Sequence, residues 1–237
     1  MLEQVHESLG SLPYMTIRQA RRLTEFLEQH QLRDCLELGF FHGVSSAYIA
    51  DSLRTRGSGH LTTIDLEAAR ARQPNIDKVL ADLELTDWVT VYYEPRSFTW
   101  RLMKMIDEHP QPRFDFCYLD GGHLWDTTGF AFFLVDKLIR PGGWLLFDDL
   151  NWSVAPRADA LRREGKSFPT WMARMTEEEM QTMQVRKVWE LLVKRHSGYG
   201  DFIEEGQWGF ARKKEQLTSR WPRMARLKRA VLPGARE

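Results

Sequence analysis

The 237-residue sequence has only two cysteines and no surplus of either charge. Lysine and arginine together number 33, as do aspartate and glutamate, so net charge gives no reason to expect a nucleic acid or a membrane as partner. Cys35 and Cys117 both lie in apolar segments predicted to be strands. Buried free thiols are a better interpretation than a disulfide or a metal pair, and they suit a reducing compartment.

Long apolar runs are also missing. No apolar segment approaches the length that spans a membrane, and the N-terminus shows no basic segment followed by an apolar one. We therefore expect a cytoplasmic protein. The length and the 43% hydrophobic content suit one globular α/β domain with additions.

Residues 35–50, CLELGFFHGVSSAYIA, form the most informative segment. An apolar run that contains Glu37 ends in a turn with Gly39 and Gly43, and a helix-like segment that includes Ser45 follows. This predicts a buried parallel strand, a tight turn and a helix N-terminus, a unit that binds nucleotide-like ligands. The glycine spacing differs from G-x-G-x-x-G, and no Gly-Lys-Ser/Thr follows. Both facts disfavour a nicotinamide oxidoreductase and a phosphate cradle.

An acidic residue ends the next predicted strand. Residues 60–65, HLTTID, end in Asp65, and a carboxylate at this position can accept hydrogen bonds from both hydroxyls of a ribose. An aspartate that caps the following helix is the alternative. A third strand, residues 89–93, is followed by Pro95, which breaks it, and by Ser97.

Two more predicted strands end in acids. One apolar strand ends at Asp120, and a Gly-Gly turn then leads to His123. A helix predicted for residues 126–139 stops at a Pro-Gly-Gly sequence, and the next strand runs into Asp148 and Asp149. Because the carboxyl ends of parallel strands meet at one edge of a sheet, we expect these side chains to lie together.

The order of these motifs resembles that of class I S-adenosylmethionine (SAM) methyltransferases. E-L-G-x-x-x-G-x-S is similar to their first motif. Strand-Asp, Pro-Gly-Gly and strand-Asp-Asp follow the order of the O-methyltransferases similar to catechol O-methyltransferase, and of the related macrocin-type sugar enzymes. The resemblance covers roughly residues 14–150. It implies an α/β, Rossmann-like class I methyltransferase fold whose mostly parallel sheet ends in an antiparallel hairpin.

The resemblance also implies SAM as cofactor and a set of residues that contact it. These come from the segment before the first motif, from the first motif itself and from the strand ends. The expected contacts are Tyr14, Thr16, Glu37, Gly39, Gly43, Ser45, Asp65, Ser97 and Asp120. For Thr16 the residues themselves also indicate an N-cap of an amphipathic helix.

Methyl transfer to an alcohol requires alignment of the reactants and removal of the hydroxyl proton. Asp120, Asp148 and Asp149 are hard oxygen ligands of the type that Mg²⁺ prefers. Catechol-type enzymes have Asp-Asn where this chain has Asp148 and Asp149, so the ligand set stays open. The resemblance places the base at His123, a residue type that accepts protons near neutral pH. A helix cap or a cofactor contact is the alternative for His123, and loop-holding is the alternative for the acids.

The rest of the chain is less specific. Residues 172–194 predict a helical stretch with a methionine and tryptophan stripe, and residues 202–203 and 208–211 predict the closing hairpin. We assign residues 1–211 to one methyltransferase domain. Residues 212–237 form a basic tail or helix that is solvated, docks on its own domain or an oligomer, or binds an anionic partner.

Three functions are compatible with these features. The first is a SAM-dependent O-methyltransferase, assisted by a metal, for a small molecule or a sugar-containing natural product. The second is a metal-independent methyltransferase that modifies an amine or a hydroxyl. The third is a non-catalytic SAM-fold binding or scaffold protein. A small-molecule acceptor is the expected partner, and a homodimer is in keeping with similar enzymes.

Overall fold

The computed structural model describes residues 2–215, in which strands and helices alternate. The strands are β1 (Asp34–Leu38), β2 (His60–Leu66), β3 (Val89–Glu94), β4 (Phe114–Leu119), β5 (Ile139–Phe147), β6 (Tyr199–Glu205) and β7 (Trp208–Lys213). The α-helices are α1 (Leu2–Leu9), α2 (Ile17–Gln29), α3 (Val44–Arg56), α4 (Ile76–Asp82), α5 (Phe98–Glu108), α6 (Trp125–Leu138), α7 (Ala155–Arg163), α8 (Glu177–Gln181) and α9 (Gln184–Val188).

The strands form one seven-stranded sheet in the order β3-β2-β1-β4-β5-β7-β6. Strands β1 to β5 pair in parallel, whereas β7 is antiparallel to both β5 and β6. The chain reverses its winding direction between β1 and β4, and parallel sheets open a ligand crevice at such a point. The prediction of a Rossmann-like, mostly parallel sheet with a C-terminal antiparallel hairpin is confirmed.

Both faces of the sheet are buried, which explains why the central strands are almost continuously apolar. In β1, Leu36 and Leu38 face one apolar cluster, and Cys35 faces the other. Cys35 and Cys117 are buried free thiols, as predicted. No helix within residues 2–215 is both long and apolar enough to cross a membrane.

The Pro-Gly-Gly sequence lies inside a strand and does not separate a helix from a strand. Helix α6 ends at Leu138 and β5 begins directly at Ile139, which pairs with Phe114. The register then shifts before Trp144 pairs with Phe116, and Gly142 adopts a φ of 84° within this irregularity. The glycine therefore permits a bulge in a strand that starts before the Pro-Gly-Gly sequence and not after it, as the sequence predicted.

The predicted helix over residues 172–194 is broken into α8, α9 and a π-helical turn at Trp189–Val193. Thr176 starts α8 with a capping box, and the helix ends at Gln181. Met172 and Met180 pack in a small apolar cluster with α7, so these methionines belong to a core. Of the predicted basic tail, residues 212 and 213 belong to β7, and residues 216–237 lie outside the described part of the chain.

Candidate active site

A cavity of about 700 Å³ opens at the carboxyl ends of the central parallel strands. Its wall combines the loops that follow β1, β2, β4 and β5 with the segment before α2 and part of α7. Eight of the predicted site residues lie on this wall: Tyr14, Gly39, Ser45, Asp65, Asp120, His123, Asp148 and Asp149. The strand ends that the sequence indicated therefore meet at one site.

The loop between β1 and α3 passes very close to the end of β4. Gly39 has a φ of 88°, and a Cβ atom added there would lie 2.6 Å from the backbone oxygen of Asp120. Gly43 has a φ of 90° and packs on Ile76, where an added Cβ would lie 2.5 Å from Cγ1. Only glycine combines this backbone conformation with such close contacts. Gly43 thus packs the loop against α4 and is not among the described residues that line the cavity.

Asp65 holds the same loop from the end of β2. Its Oδ2 atom accepts hydrogen bonds from the backbone N–H groups of Phe40, at 3.0 Å, and Phe41, at 2.8 Å. Its Oδ1 atom accepts one from Leu66 N at 2.6 Å. The alternative prediction, a cap on the following helix, does not describe these contacts. Carboxylate oxygens have further acceptor positions, so Asp65 can hold the loop and also face a ligand in the cavity.

Glu37 lies beneath the cavity wall. It is fully buried and accepts hydrogen bonds from the hydroxyls of Ser45 and Thr63, both at 2.5 Å, and of Ser46. Burial raises the pKa of Glu37, and the three hydroxyls act in the opposite direction. The expected cofactor contact is thus an internal acceptor that fixes β1, β2 and α3 together.

Thr16 and Ser97 are occupied by helix caps. Thr16 forms a capping box with Gln19 at the start of α2, which confirms the N-cap prediction. Ser97 accepts a hydrogen bond from Thr99 N at 3.1 Å at the start of α5. Neither residue is on the described wall of the cavity, and each hydroxyl takes part in the cap of its own helix.

Asp120, His123 and Asp149 form a compact cluster on the wall. His123 Nε2 lies 3.5 Å from Oδ1 of Asp120 and 3.3 Å from Oδ2 of Asp149. Within residues 2–215 this buried nitrogen has no hydrogen-bond partner. One ligand atom from each of the three residues lies within 4.8 Å of the others. This is an arrangement that can surround one cation.

Asp148 lies beside this cluster on the cavity wall. Its Oδ2 accepts a hydrogen bond from the hydroxyl of Tyr118, and its Oδ1 accepts one from Asp149 N at 2.7 Å. The residue is buried. The sequence predicted Asp120, Asp148 and Asp149 as the metal ligands. Asp120 and Asp149 form the cluster together with His123, and Asp148 lines the same cavity beside them.

Burial and the neighbouring charges together shift the pKa values in the cluster. Burial, together with the nearby Asp148 and Asp149 carboxylates, raises the pKa of Asp120 to about 7, although His123 opposes this. Burial and the Asp148 carboxylate also raise the pKa of Asp149. Burial lowers the pKa of His123, but the surrounding carboxylates outweigh it, and the net shift is upward. Excess negative charge and a buried, unpartnered imidazole nitrogen both fit a bound divalent cation.

The backbone is strained along the cavity wall. Among the described residues other than glycine, seven have a positive φ, and four of these line the cavity: Tyr14, Phe41, His123 and Asp149. Such conformations cost free energy and are concentrated at functional sites. Two of these residues, His123 and Asp149, have their Nε2 and Oδ2 atoms 3.3 Å apart.

Several further residues line the wall, and of these Phe41, His42, Arg72 and Arg157 were not predicted. Phe41 and His42 lie inside the Gly39–Gly43 turn, and that turn was the signal that could have identified them. The guanidinium of Arg72 lies 3.3 Å from the centre of the Phe41 ring. Arg157 comes from α7, and neither arginine belongs to a recognisable motif. The Trp152 ring lies 5.2 Å from that of His123, at the same end as the acidic cluster.

Comparisons with known proteins agree with this architecture. Residues 36–150 match a family model described as a methyltransferase domain. No curated protein sequence matches the chain. Similar solved structures include the O-methyltransferase TomG from Streptomyces achromogenes, involved in tomaymycin synthesis and solved with SAM. It is 20% identical, with 90% of this chain and 89% of that chain covered and a TM-score of 0.62.

Two further structures have the same overall shape. An O-methyltransferase from Bacillus cereus, solved with S-adenosylhomocysteine (SAH), is 18% identical, with 90% of each chain covered and a TM-score of 0.61. The SAH-bound methyltransferase PaMTH1 from Podospora anserina is 14% identical, with 90% and 87% covered and a TM-score of 0.61. At these identities the likeness establishes the fold. Residues 36–150 therefore match a methyltransferase domain, and the chain has a fold that these O-methyltransferases share.

Proposed function

We propose that the protein transfers the methyl group of SAM to a hydroxyl oxygen of a small molecule or a sugar-containing natural product, with a divalent cation assisting. The observation that supports this most directly is that the Asp120–His123–Asp149 cluster shares one cavity with the Gly39 loop and Asp65. A cofactor region and a proton-handling or cation-binding region are thus adjacent. The O-methyltransferase names of similar structures support a hydroxyl as the acceptor group.

SAM supplies a methyl group that is already activated on a sulfonium, so the protein mainly orients the reactants and excludes water. Gly39 lets the loop after β1 pack directly against the end of β4 at the cavity wall, and Asp65 offers acceptor positions for the ribose hydroxyls. Tyr14 packs edge-on against Phe41 at a distance of 4.8 Å between ring centres. Together these residues form the cofactor side of the cavity in the proposal.

The acceptor hydroxyl must lose its proton during transfer. A cation bound by Asp120 and Asp149 would lower the cost of this loss, and Mg²⁺ is the ion that the family resemblance suggests. His123 has two roles that fit its position. It can accept the proton, since the neighbouring carboxylates stabilise the imidazolium, or it can bind the cation through Nε2.

Transfer without a metal is the second candidate. It is favoured by the position of His123 Nε2, which lies between two carboxylates that can orient and charge it without any ion. In this case the imidazole alone accepts a proton from a hydroxyl or an amine. We place either reaction in the cytoplasm, because both cysteines are buried free thiols.

A methylation assay tests the proposal. The purified protein is incubated with SAM and a panel of catechols, phenolic acids and hydroxylated glycosides, once with Mg²⁺ and once with EDTA, and SAH and methylated product are measured. We expect transfer to oxygen that EDTA abolishes. Unchanged transfer in EDTA selects the metal-independent candidate, and the absence of SAM binding by the folded protein contradicts both.

Variants assign the roles within the cluster. Asp120→Asn and His123→Ala are expected to lower turnover strongly, whereas Asp126→Asn, at the exposed start of α6, serves as the matched control and retains activity. Turnover of His123→Ala near the wild-type rate would remove His123 from the reaction. The control shows whether loss of any acid near this turn has the same effect.

A further inference from the structure

We infer that His123 binds the cation through Nε2, and that the site therefore takes a first-row transition ion such as Mn²⁺ or Co²⁺ in preference to Mg²⁺. This rests on the cation site of the proposed function and specifies its third ligand and its selectivity. The sequence and its family resemblance pointed to three carboxylates and Mg²⁺, and the position of His123 in the structure is what adds an imidazole ligand.

Asp148 lines the same cavity but does not belong to the ligand cluster. Both oxygens of Asp148 accept hydrogen bonds, from the hydroxyl of Tyr118 and from the backbone N–H of Asp149. The side chain is buried, and among residues 2–215 it is not one of the three whose ligand atoms lie within 4.8 Å of one another. That group contains two carboxylates, from Asp120 and Asp149.

The third candidate ligand of the cluster is the Nε2 atom of His123. His123 Nε2 is buried and, in the described part of the chain, has no hydrogen-bond partner, although it lies 3.5 Å from Asp120 Oδ1 and 3.3 Å from Asp149 Oδ2. A buried polar atom without a partner is costly. The ring lies against Trp152, with ring centres 5.2 Å apart, and the backbone of His123 has a φ of 32°. Its orientation toward the two carboxylates is thus held by packing and by the chain.

The ligand types in the cluster determine which cations it prefers. Mg²⁺ prefers oxygen ligands and bound water in octahedral geometry. Imidazole is a preferred ligand of Zn²⁺, Fe²⁺, Ni²⁺ and Cu²⁺, and affinity of mixed nitrogen and oxygen sites rises from Mn²⁺ through Co²⁺. Two carboxylates and one imidazole therefore favour a transition ion. The remaining positions stay open for water or for the oxygen of an acceptor.

Metal titration tests the inference without relying on activity. Metal-free protein is titrated with Mn²⁺, followed by electron paramagnetic resonance, and with Mg²⁺ in competition. Co²⁺ binding is followed by its visible absorption. We expect Mn²⁺ to bind at least about tenfold more tightly than Mg²⁺, and Co²⁺ more tightly than Mn²⁺. His123→Ala is expected to lose at least about tenfold in Mn²⁺ affinity, whereas His109→Ala, a histidine at the exposed C-terminus of α5, leaves it unchanged.

A second variant tests whether His123 is a metal ligand if His123→Ala folds poorly. His123→Asp replaces the imidazole by a carboxylate, and aspartate tolerates a positive φ better than most residues. We expect this variant to shift its preference toward Mg²⁺. Equal affinities of the wild type for Mn²⁺ and Mg²⁺, or an unchanged preference in His123→Asp, would overturn the assignment. Failure to bind any cation would overturn it too, while methyl transfer in EDTA would then leave the methyltransferase function intact.

Discussion

Glu37 accepts buried hydrogen bonds beneath the cavity, and their contribution can be tested by measuring the free energy of unfolding of Glu37 variants. Its carboxylate accepts from three hydroxyls, of which Ser46 and Thr63 are fully buried and Ser45 lies on the cavity wall. In Glu37→Ala the Ser45 hydroxyl can turn to the cavity, but the other two lose their acceptor. Each buried unsatisfied group costs about 1–3 kcal/mol. We expect Glu37→Ala to lower the free energy of unfolding by about 3 kcal/mol. This is toward the lower end of the cost of two such groups, because the substitution also removes the cost of burying the carboxylate.

Glu37→Gln separates hydrogen bonding from charge. The amide keeps one acceptor oxygen, and a hydroxyl can rotate to accept from its NH₂ group, so we expect a loss of about 1 kcal/mol. Because burial raises the pKa of Glu37 above its unfolded value, the native state holds this proton more tightly. The contribution of Glu37 to wild-type stability is then fully present below the unfolded pKa and falls as the pH rises through the folded pKa.

Urea unfolding followed by tryptophan fluorescence, between about pH 4 and pH 8, measures both effects. The difference in unfolding free energy between wild type and Glu37→Gln should be largest at low pH and should shrink as the pH rises. Glu67→Gln, an exposed glutamate paired with Arg70, is the control and should change stability by less than about 0.5 kcal/mol. A difference that grows with pH would show that the hydroxyls lower the pKa and would refute the reasoning.

Two further substitutions test the loop and the support of the acidic cluster. Gly39→Ala should weaken SAM binding at least about tenfold in calorimetry, because its Cβ would lie 2.6 Å from the Asp120 backbone oxygen. Gly57→Ala, at a φ of 64° with open space around it, should cost about 1 kcal/mol of stability and leave SAM affinity unchanged; equal effects on binding would contradict the close-contact explanation. Tyr118→Phe removes the hydroxyl donor of the buried Asp148 and should lower the unfolding free energy by about 2 kcal/mol in urea unfolding, whereas Tyr92→Phe should change it by less than about 0.5 kcal/mol. A stability loss as small as that of Tyr92→Phe would show that Asp148 does not need this donor.

Local patterns were sufficient to predict the strands and the edge at which the site lies. The apolar runs that lead to Leu38, Asp65 and Asp120 are buried parallel strands, and burial on both faces produces such continuous runs. Parallel strands in an open sheet place their carboxyl ends together. The convergence of Gly39, Asp65 and Asp120 at one cavity was therefore predictable from order and spacing alone.

The direction of each polar side chain was not predictable in the same way. The N-cap at Thr16 was predictable, but Glu37 and Ser97 were expected to contact the cofactor, and the sequence does not distinguish such contacts from the internal hydrogen bonds and the helix cap that these residues form. The adjacent Asp148 and Asp149 also have different partners, since Asp149 Oδ2 lies 3.3 Å from His123 Nε2 while Asp148 accepts from the Tyr118 hydroxyl, and the sequence pattern does not reveal this difference. Pattern alone also could not show that a Pro-Gly-Gly sequence lies in a bulged strand, because that depends on pairing with β4.

Calorimetric titration of SAM into the purified protein, with Mg²⁺ and then with EDTA, tests the central claim most directly. We predict saturable binding in both buffers, weakened at least about tenfold by Asp65→Ala. The exposed Asp82→Ala, which removes only a surface pair with Lys78, should bind as the wild type does. A folded protein that binds no SAM in either buffer would contradict the assignment of this cavity to the cofactor.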